Sequence, residues 1–221
     1  MSKISSFADL HKAISKYQGK AVIYRGVTDA KNHTLIPSLG RIKKFKGLED
    51  AHKEEKTILR LFRQQSRPYL DFIPTDDWEW LALAQHHGLP TRLIDWTRNP
   101  LVAAYFAVEQ AYDGDSAIYI FIRPHYIDTI KNPNPLKIER VAKFIPNHVT
   151  RRITVQAGVF TVHPNPIKEF DDPKIDKIII AKDARRNLKK ELFRYGIHRA
   201  SLYPDLDGLA RHIRWLRSNE H

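Results

Sequence analysis

Residues 100–122 read PLVAAYFAVEQAYDGDSAIYIFI, and the chain changes character within them. Pro100 suits a first helical turn, where the missing N–H would have had no intrahelical acceptor, and the body behind it is apolar. A helix is therefore predicted over 100–112. Residues 117–122, AIYIFI, are an unbroken apolar run of strand length, rich in β-branched and aromatic side chains, which predicts a buried strand.

Upstream of this switch the pattern is mostly helical. Residues 6–17 carry Phe7, Leu10, Ala13 and Ile14 on one face behind a Ser5 or Ser6 cap. Residues 48–66 place Ile58, Leu59 and Phe62 at helical spacing and are stopped by Pro68. Residues 75–87, TDDWEWLALAQHH, put a Thr75 cap and Asp76, Asp77 and Glu79 at the positive end of the helix dipole, with Gly88 as terminator. One strand, 21–25 (AVIYR), ends at Gly26. Downstream the chain turns to strands, at 155–161 and 177–181, with Pro/Asn-rich loops at 131–135 and 163–166. A basic helix over 183–195 and a last helix from about 206 to 217 close it. Helices first and strands later predict an α+β fold with a helical N-terminal half.

The chain has 221 residues, 42% of them hydrophobic, enough for a core and inconsistent with intrinsic disorder. A length of 221 suits one domain, 1–221, with no linker between its motifs. There is no Cys, which excludes disulfides, thiolate catalysis and Cys-ligated zinc. No apolar stretch approaches a membrane span and the first residues do not form a signal peptide, so the reading is cytoplasmic with no membrane partner. Thirty-seven Lys and Arg against 25 Asp and Glu leave a formal charge of +12, which favours a polyanionic partner, nucleic acid first. The excess is concentrated at Arg41, Lys43, Lys44 and Lys46, and again at Arg185, Arg186, Lys189 and Lys190; both tracts are expected to contact a nucleic-acid backbone.

Three places carry candidate chemistry. In Tyr24-Arg25-Gly26, at a strand end, the guanidinium suits a phosphate and Gly26 would allow a ligand close to the backbone; a salt bridge to a core carboxylate is the plain alternative. The block 83–100, LAQHHGLPTRLIDWTRNP, crowds His86, Thr91, Arg92, Asp95 and Thr97 into one helix–turn–helix passage. A bland account makes Thr97 or Asn99 a helix cap, Asp95 the partner of Arg92 and His87 a solvated helix end. In residues 151–161, read as a strand, Gln156 and Gly158 would share one face.

Tyr24-Arg25-Gly26, the block LAQHHGLPTRLIDWT, the run Gln156 to Thr161 (QAGVFT) and the stretch 196–209 together resemble the FRG domain. More distantly, AVIYRGV, followed by Asp95-Trp96-Thr97 and Ala103-Ala104-Tyr105-Phe106-Ala107, is similar to the Arg-Ser-Glu class of ADP-ribosyltransferases. That likeness implies a split, mainly antiparallel sheet and NAD as co-substrate, with Arg25 and Gly26 at the pyrophosphate and Thr97, Arg92 and Thr91 completing the binding set. No metal is expected, since adjacent His86 and His87 do not face the same way on a helix and the carboxylates do not cluster. The sequence departs from the pattern at the catalytic Glu, where Gln156 stands; an amide can orient a ribose but brings no charge to an oxocarbenium-like state. Asp95 is then the first choice of carboxylate, Asp205 or Asp207 the next, with His86 beside it.

Three functions compete on this reading. The first is an NAD-dependent ADP-ribosyltransferase of DNA or RNA, as a toxin or phage-defence effector with a possible protein antitoxin. The second is a non-catalytic nucleic-acid or nucleotide-binding module. The third is a nuclease built on His86, Asp95 and Arg92.

Overall fold

The computed structural model describes residues 2–42, 44–147 and 150–218. Its centre is a seven-stranded sheet of β1 (Ser2–Ile4), β2 (Val22–Val27), β3 (Leu93–Thr97), β4 (Ser116–Ile122), β5 (Ala142–Phe144), β6 (Gly158–Val162) and β7 (Ile175–Ile180), in the spatial order β1-β7-β4-β2-β3-β6-β5. Only the β1–β7 pair is parallel; the other neighbours are antiparallel. The expected α+β, mainly antiparallel architecture is therefore present, and the sheet does not close on itself.

The AIYIFI run is apolar throughout because β4 is covered on both faces. Ile118 and Ile120 pack with α4 (Pro100–Val108) in one core, while Phe121 joins Ile23, Ile94, Trp96 and Val159 on the other face. Helix α4 starts as its sequence requires: Asn99 accepts from the Leu101 N–H at 2.9 Å, with Pro100 in the first turn. Its Ala103 and Ala107 lie so close to β2 that a β-carbon at Gly26 would fall 1.8 Å from the Ala103 carbonyl oxygen. Gly26 thus lets the helix approach the strand, a reason the sequence reading did not give, and it also lines the cleft between β2 and β3.

The remaining helices are α1 (Phe7–Ser15), α2 (Leu48–Gln65), α3 (Asp77–His86), α5 (Arg151–Val155), α6 (Arg185–Arg194), α7 (Arg199–Leu202) and α8 (Leu206–Arg217). The elements differ from those expected in four places. The N-terminal half is not simply helical, since β1, β2 and β3 interleave with its helices and α5 to α8 lie later in the chain. Asp76, not Thr75, caps α3, accepting from the Glu79 N–H at 2.8 Å. Residues 155–161 are not one strand: Thr150 caps the short helix α5, Gln156 closes it, and Ala157 at φ 47° turns the chain into β6. The β-branched run Ile153-Thr154-Val155 has strand propensity, but a local cap and packing override it. Finally, LIDWT is strand β3, where the sequence reading expects a helix–turn–helix passage; Asp95 shares a face with buried Leu93 and Thr97 and is exposed where β2 lies unpaired beside it. Among the described residues no helix is long and apolar enough to cross a membrane.

Candidate functional site

Strands β2 and β3 share a single register pair, Tyr24 with Thr97. Beyond it β2 continues along β4 through Val27, and β3 continues along β6 back to Leu93, so their facing edges part. A cleft of about 550 Å³ opens in that gap. Its walls are the diverging strands, the C-terminal ends of α3 and α4, helix α5 and Tyr203.

Arg25 spans the gap at its narrow end. Its Nη1 donates to the Asp95 main-chain oxygen at 2.7 Å and lies 3.7 Å from Asp95 Oδ2. Burial pulls the Arg25 guanidinium below its ordinary value, and the Asp95 charge opposes that pull. Asp95 Oδ2 also accepts from Gln85 Nε2 at 2.9 Å, and Gln85 Oε1 accepts in turn from the Thr91 hydroxyl at 2.5 Å. The Asp95 side chain nevertheless stays 58% exposed, so this carboxylate is held in place and still open to the cleft.

The other predicted residues separate by position. Thr97 lines the cleft, but its hydroxyl is spent, donating to the Gln156 carbonyl at 2.6 Å and accepting from the Asn99 N–H at 3.0 Å. Gln156 lines it too, with Nε2 donating to the Leu202 carbonyl at 2.9 Å. His86 lies on the wall with Nδ1 at 3.4 Å from the Thr150 hydroxyl; burial, then the neighbouring His87 and Arg152 charges, push its pKa down to about 4, so the ring is neutral at pH 7. His87 is the exposed end of α3, as the bland account held.

Thr91 and Arg92 are not on the wall. Thr91 is fully buried and reaches Asp95 only through Gln85. Arg92, 1% exposed, is paired with equally buried Glu55: Nε and Nη2 donate to Glu55 Oε2 at 2.8 and 2.6 Å, and the Arg92 main-chain N–H donates to Oε1 at 2.9 Å. Its partner is therefore Glu55 and not Asp95. A direct cofactor contact from either residue does not fit these placements, and the nuclease trio of His86, Asp95 and Arg92 is not assembled. Asp205, the reserve carboxylate, caps α8 by accepting from the Gly208 N–H at 2.6 Å.

The basic tracts also divide. Arg41 lies on the cleft wall and not with a separate surface. Lys44 is ion-paired with Glu54, Lys46 is exposed, and Lys43 lies outside the described residues. Arg185 is 6% exposed and donates to the carbonyls of Thr28, Ala107 and Gln110, which anchors α6 against the end of α4 and takes it away from any nucleic-acid surface. Lys189 donates to the Glu109 carbonyl at 2.8 Å, Arg186 is exposed, and Lys190 is half-buried.

Residues 20–116 match the FRG domain family. This chain carries an FRG domain. No match was found among curated proteins or among solved structures. The FRG match ends at the start of β4, yet the cleft is completed by residues beyond it. Arg152 and Tyr203 are two such residues that reasoning from the sequence passed over. The Arg152 guanidinium lies 4.4 Å from the Tyr203 ring centroid and that of Arg199 lies 4.2 Å from it, while Arg199 forms an ion pair with Glu109 on the cleft wall. Tyr203 falls inside a run that resembled the FRG domain and Arg152 inside the stretch 151–161, but nothing in their spacing shows that a ring and a guanidinium meet.

Proposed function

We propose that the cleft binds NAD and transfers its ADP-ribose to nucleic acid, in the setting of a toxin or phage-defence effector. The observation that carries this reading is the parting of β2 and β3 after one register pair, which sets Arg25, Arg41 and Arg152 around a cavity of about 550 Å³ with the Asp95 carboxylate at its edge. Three guanidinium groups suit a pyrophosphate, and the volume falls in the roughly 300–1,000 Å³ range of cofactor-sized pockets. Two inner strands that part beside an Arg are also consistent with the likeness to ADP-ribosyltransferases.

On this reading Arg25 and Arg152 hold the diphosphate. The nicotinamide–ribose bond breaks with its electron pair leaving on nicotinamide. The acceptor's nitrogen or oxygen bonds to the freed ribose carbon, and the acceptor proton passes to Asp95, whose charge also stabilises the cationic sugar. Gln156, with Nε2 committed to Leu202, offers Oε1 to a ribose hydroxyl. A second reading, a nucleotide-binding module without catalysis, draws on the same commitment, since an amide tied to the main chain supplies no charge.

Labelled NAD incubated with DNA or RNA, for wild type and Arg25→Ala, separates the two. Transfer of label that is lost in the variant supports the first. Retardation of the oligonucleotide without NAD consumption supports the second. If NAD is neither bound nor consumed, the main reading fails.

A further inference from the structure

Helix α8 exposes the wrong side chains for a surface element. Leu206 is 83% exposed, Leu209 45%, Ile213 50% and Leu216 38%, and they recur at intervals of three, four and three residues, the spacing of a helix seam. The helix is held to the molecule on a different side. A β-carbon at Gly208 would fall 2.1 Å from the Tyr203 carbonyl oxygen, and buried His212 stacks on His198 with centroids 4.3 Å apart.

The order of residues along the stripe says what covers it. The stripe is symmetric about Arg211: Leu206 and Leu216 are equidistant from that point, as are Leu209 and Ile213. The charges run from acidic to basic along the helix, with Asp205 and Asp207 at one end and Arg214 and Arg217 at the other. A twofold axis across the middle of α8 would therefore lay Leu206 on the second copy's Leu216 and Leu209 on its Ile213. The same axis would bring the acidic first turn of each helix to the basic last turn of the other. Antiparallel packing also opposes the two helix dipoles.

From this pattern we infer that the occupant of the stripe is a second copy of the same chain, docked through α8 in an antiparallel, isologous contact. Twelve helical residues span only about 18 Å, so the contact lies at the small end of interface sizes and the dimer is reversible and concentration-dependent. A basic amphipathic helix can instead lie on an anionic membrane, but the acidic N-terminal end of α8 would face the lipid charge unfavourably.

Sedimentation velocity over a concentration series tests this. Wild type is expected to shift from monomer to dimer, while Ile213→Asp stays monomeric with an unchanged circular dichroism spectrum and melting midpoint, because the side chain is exposed in the monomer. The chain has no Cys, so disulfide mapping is clean. The double variant Leu206→Cys/Leu216→Cys is expected to form a covalent dimer under mild oxidation. Leu206→Cys alone is not, because in the antiparallel pair the two 206 positions lie about 15 Å apart. A monomer at every concentration, a dimer indifferent to Ile213→Asp, or cross-linking by Leu206→Cys alone overturns the inference. So does binding to phosphatidylcholine–phosphatidylserine vesicles by a protein that stays monomeric without them. None of these readouts involves NAD, so they succeed or fail independently of the proposed transferase activity.

Discussion

Arg25 and Asp95 join the two strands that the fold otherwise lets part. One guanidinium nitrogen bonds the Asp95 carbonyl at 2.7 Å while the carboxylate stands 3.7 Å away, so a single side chain bridges strand β2 to both the backbone and the side chain of β3. The bridge leaves the rest of the guanidinium fork available to an anion in the cleft. Arg25→Lys keeps the charge but replaces the planar fork with a point charge. On the proposed function it is expected to weaken NAD binding at least tenfold, measured by isothermal calorimetry, with the melting midpoint shifting by only a few degrees. Equal affinity in the Lys variant would show that Arg25 serves the fold alone.

Gly26 is set by packing, and the prediction is correspondingly severe. A β-carbon there would overlap the Ala103 carbonyl and crowd the Ala107 amide at 2.7 Å, and both are main-chain atoms of α4 that cannot rotate away. Gly26→Ala is expected to destabilise the protein by about 3 kcal/mol or more, at the upper end of overpacking costs. Urea denaturation checks this; a loss below about 1 kcal/mol would mean that α4 moves off the sheet easily.

Glu55 and Arg92 form a dry ion pair linking α2 to the start of β3. Glu55→Gln leaves Arg92 charged, buried and unmatched, and is expected to cost about 3–5 kcal/mol. The double variant Glu55→Leu/Arg92→Met removes both charges and is expected to recover most of that loss. If Arg92 acted only through the fold, NAD affinity in the double variant, measured once folding is verified, would stay near that of wild type. A large loss of affinity in a folded double variant would restore a binding role to Arg92.

These relationships show which parts of the molecule could be read from residues alone. A helix with a cap and an apolar stripe, α1, was legible because those signals are local. The strand β3 was not, since its identity rests on pairing with β6, more than sixty residues away. Gln156 was misplaced for the same kind of reason: the turn at Ala157 exists because Arg98 donates to the Ala157 carbonyl and Thr97 to that of Gln156, contacts no window of sequence contains. At the site, Arg25, Asp95, His86 and Gln156 were found through the company they keep in motif blocks. Arg92 and Arg185 look the same in sequence as a cleft arginine, and only burial separates them.

His163 supplies the last prediction, an acid limit to stability. It is 2% exposed, its Nε2 lies 2.8 Å from the Thr161 hydroxyl, and that hydroxyl also accepts from Trp96 Nε1 at 2.8 Å. Burial, reinforced by the charges of Arg25 and Arg92, pushes its pKa down to about 3. In the unfolded chain the ring takes up a proton near pH 6.5, and the folded protein refuses it until far lower. The unfolded state therefore binds more protons between those two values, and stability falls as pH drops through that window, by about 1.4 kcal/mol per pH unit for this group. Above pH 6.5 both states are neutral and the effect vanishes. His86, with its pKa pushed down to about 4, adds to the slope in the same direction. Unfolding free energies from urea titrations between pH 7.5 and 5 are expected to fall steeply below 6.5, and less steeply in His163→Gln, which keeps a hydrogen-bonding side chain but cannot titrate. An identical slope in the variant would place the proton uptake elsewhere.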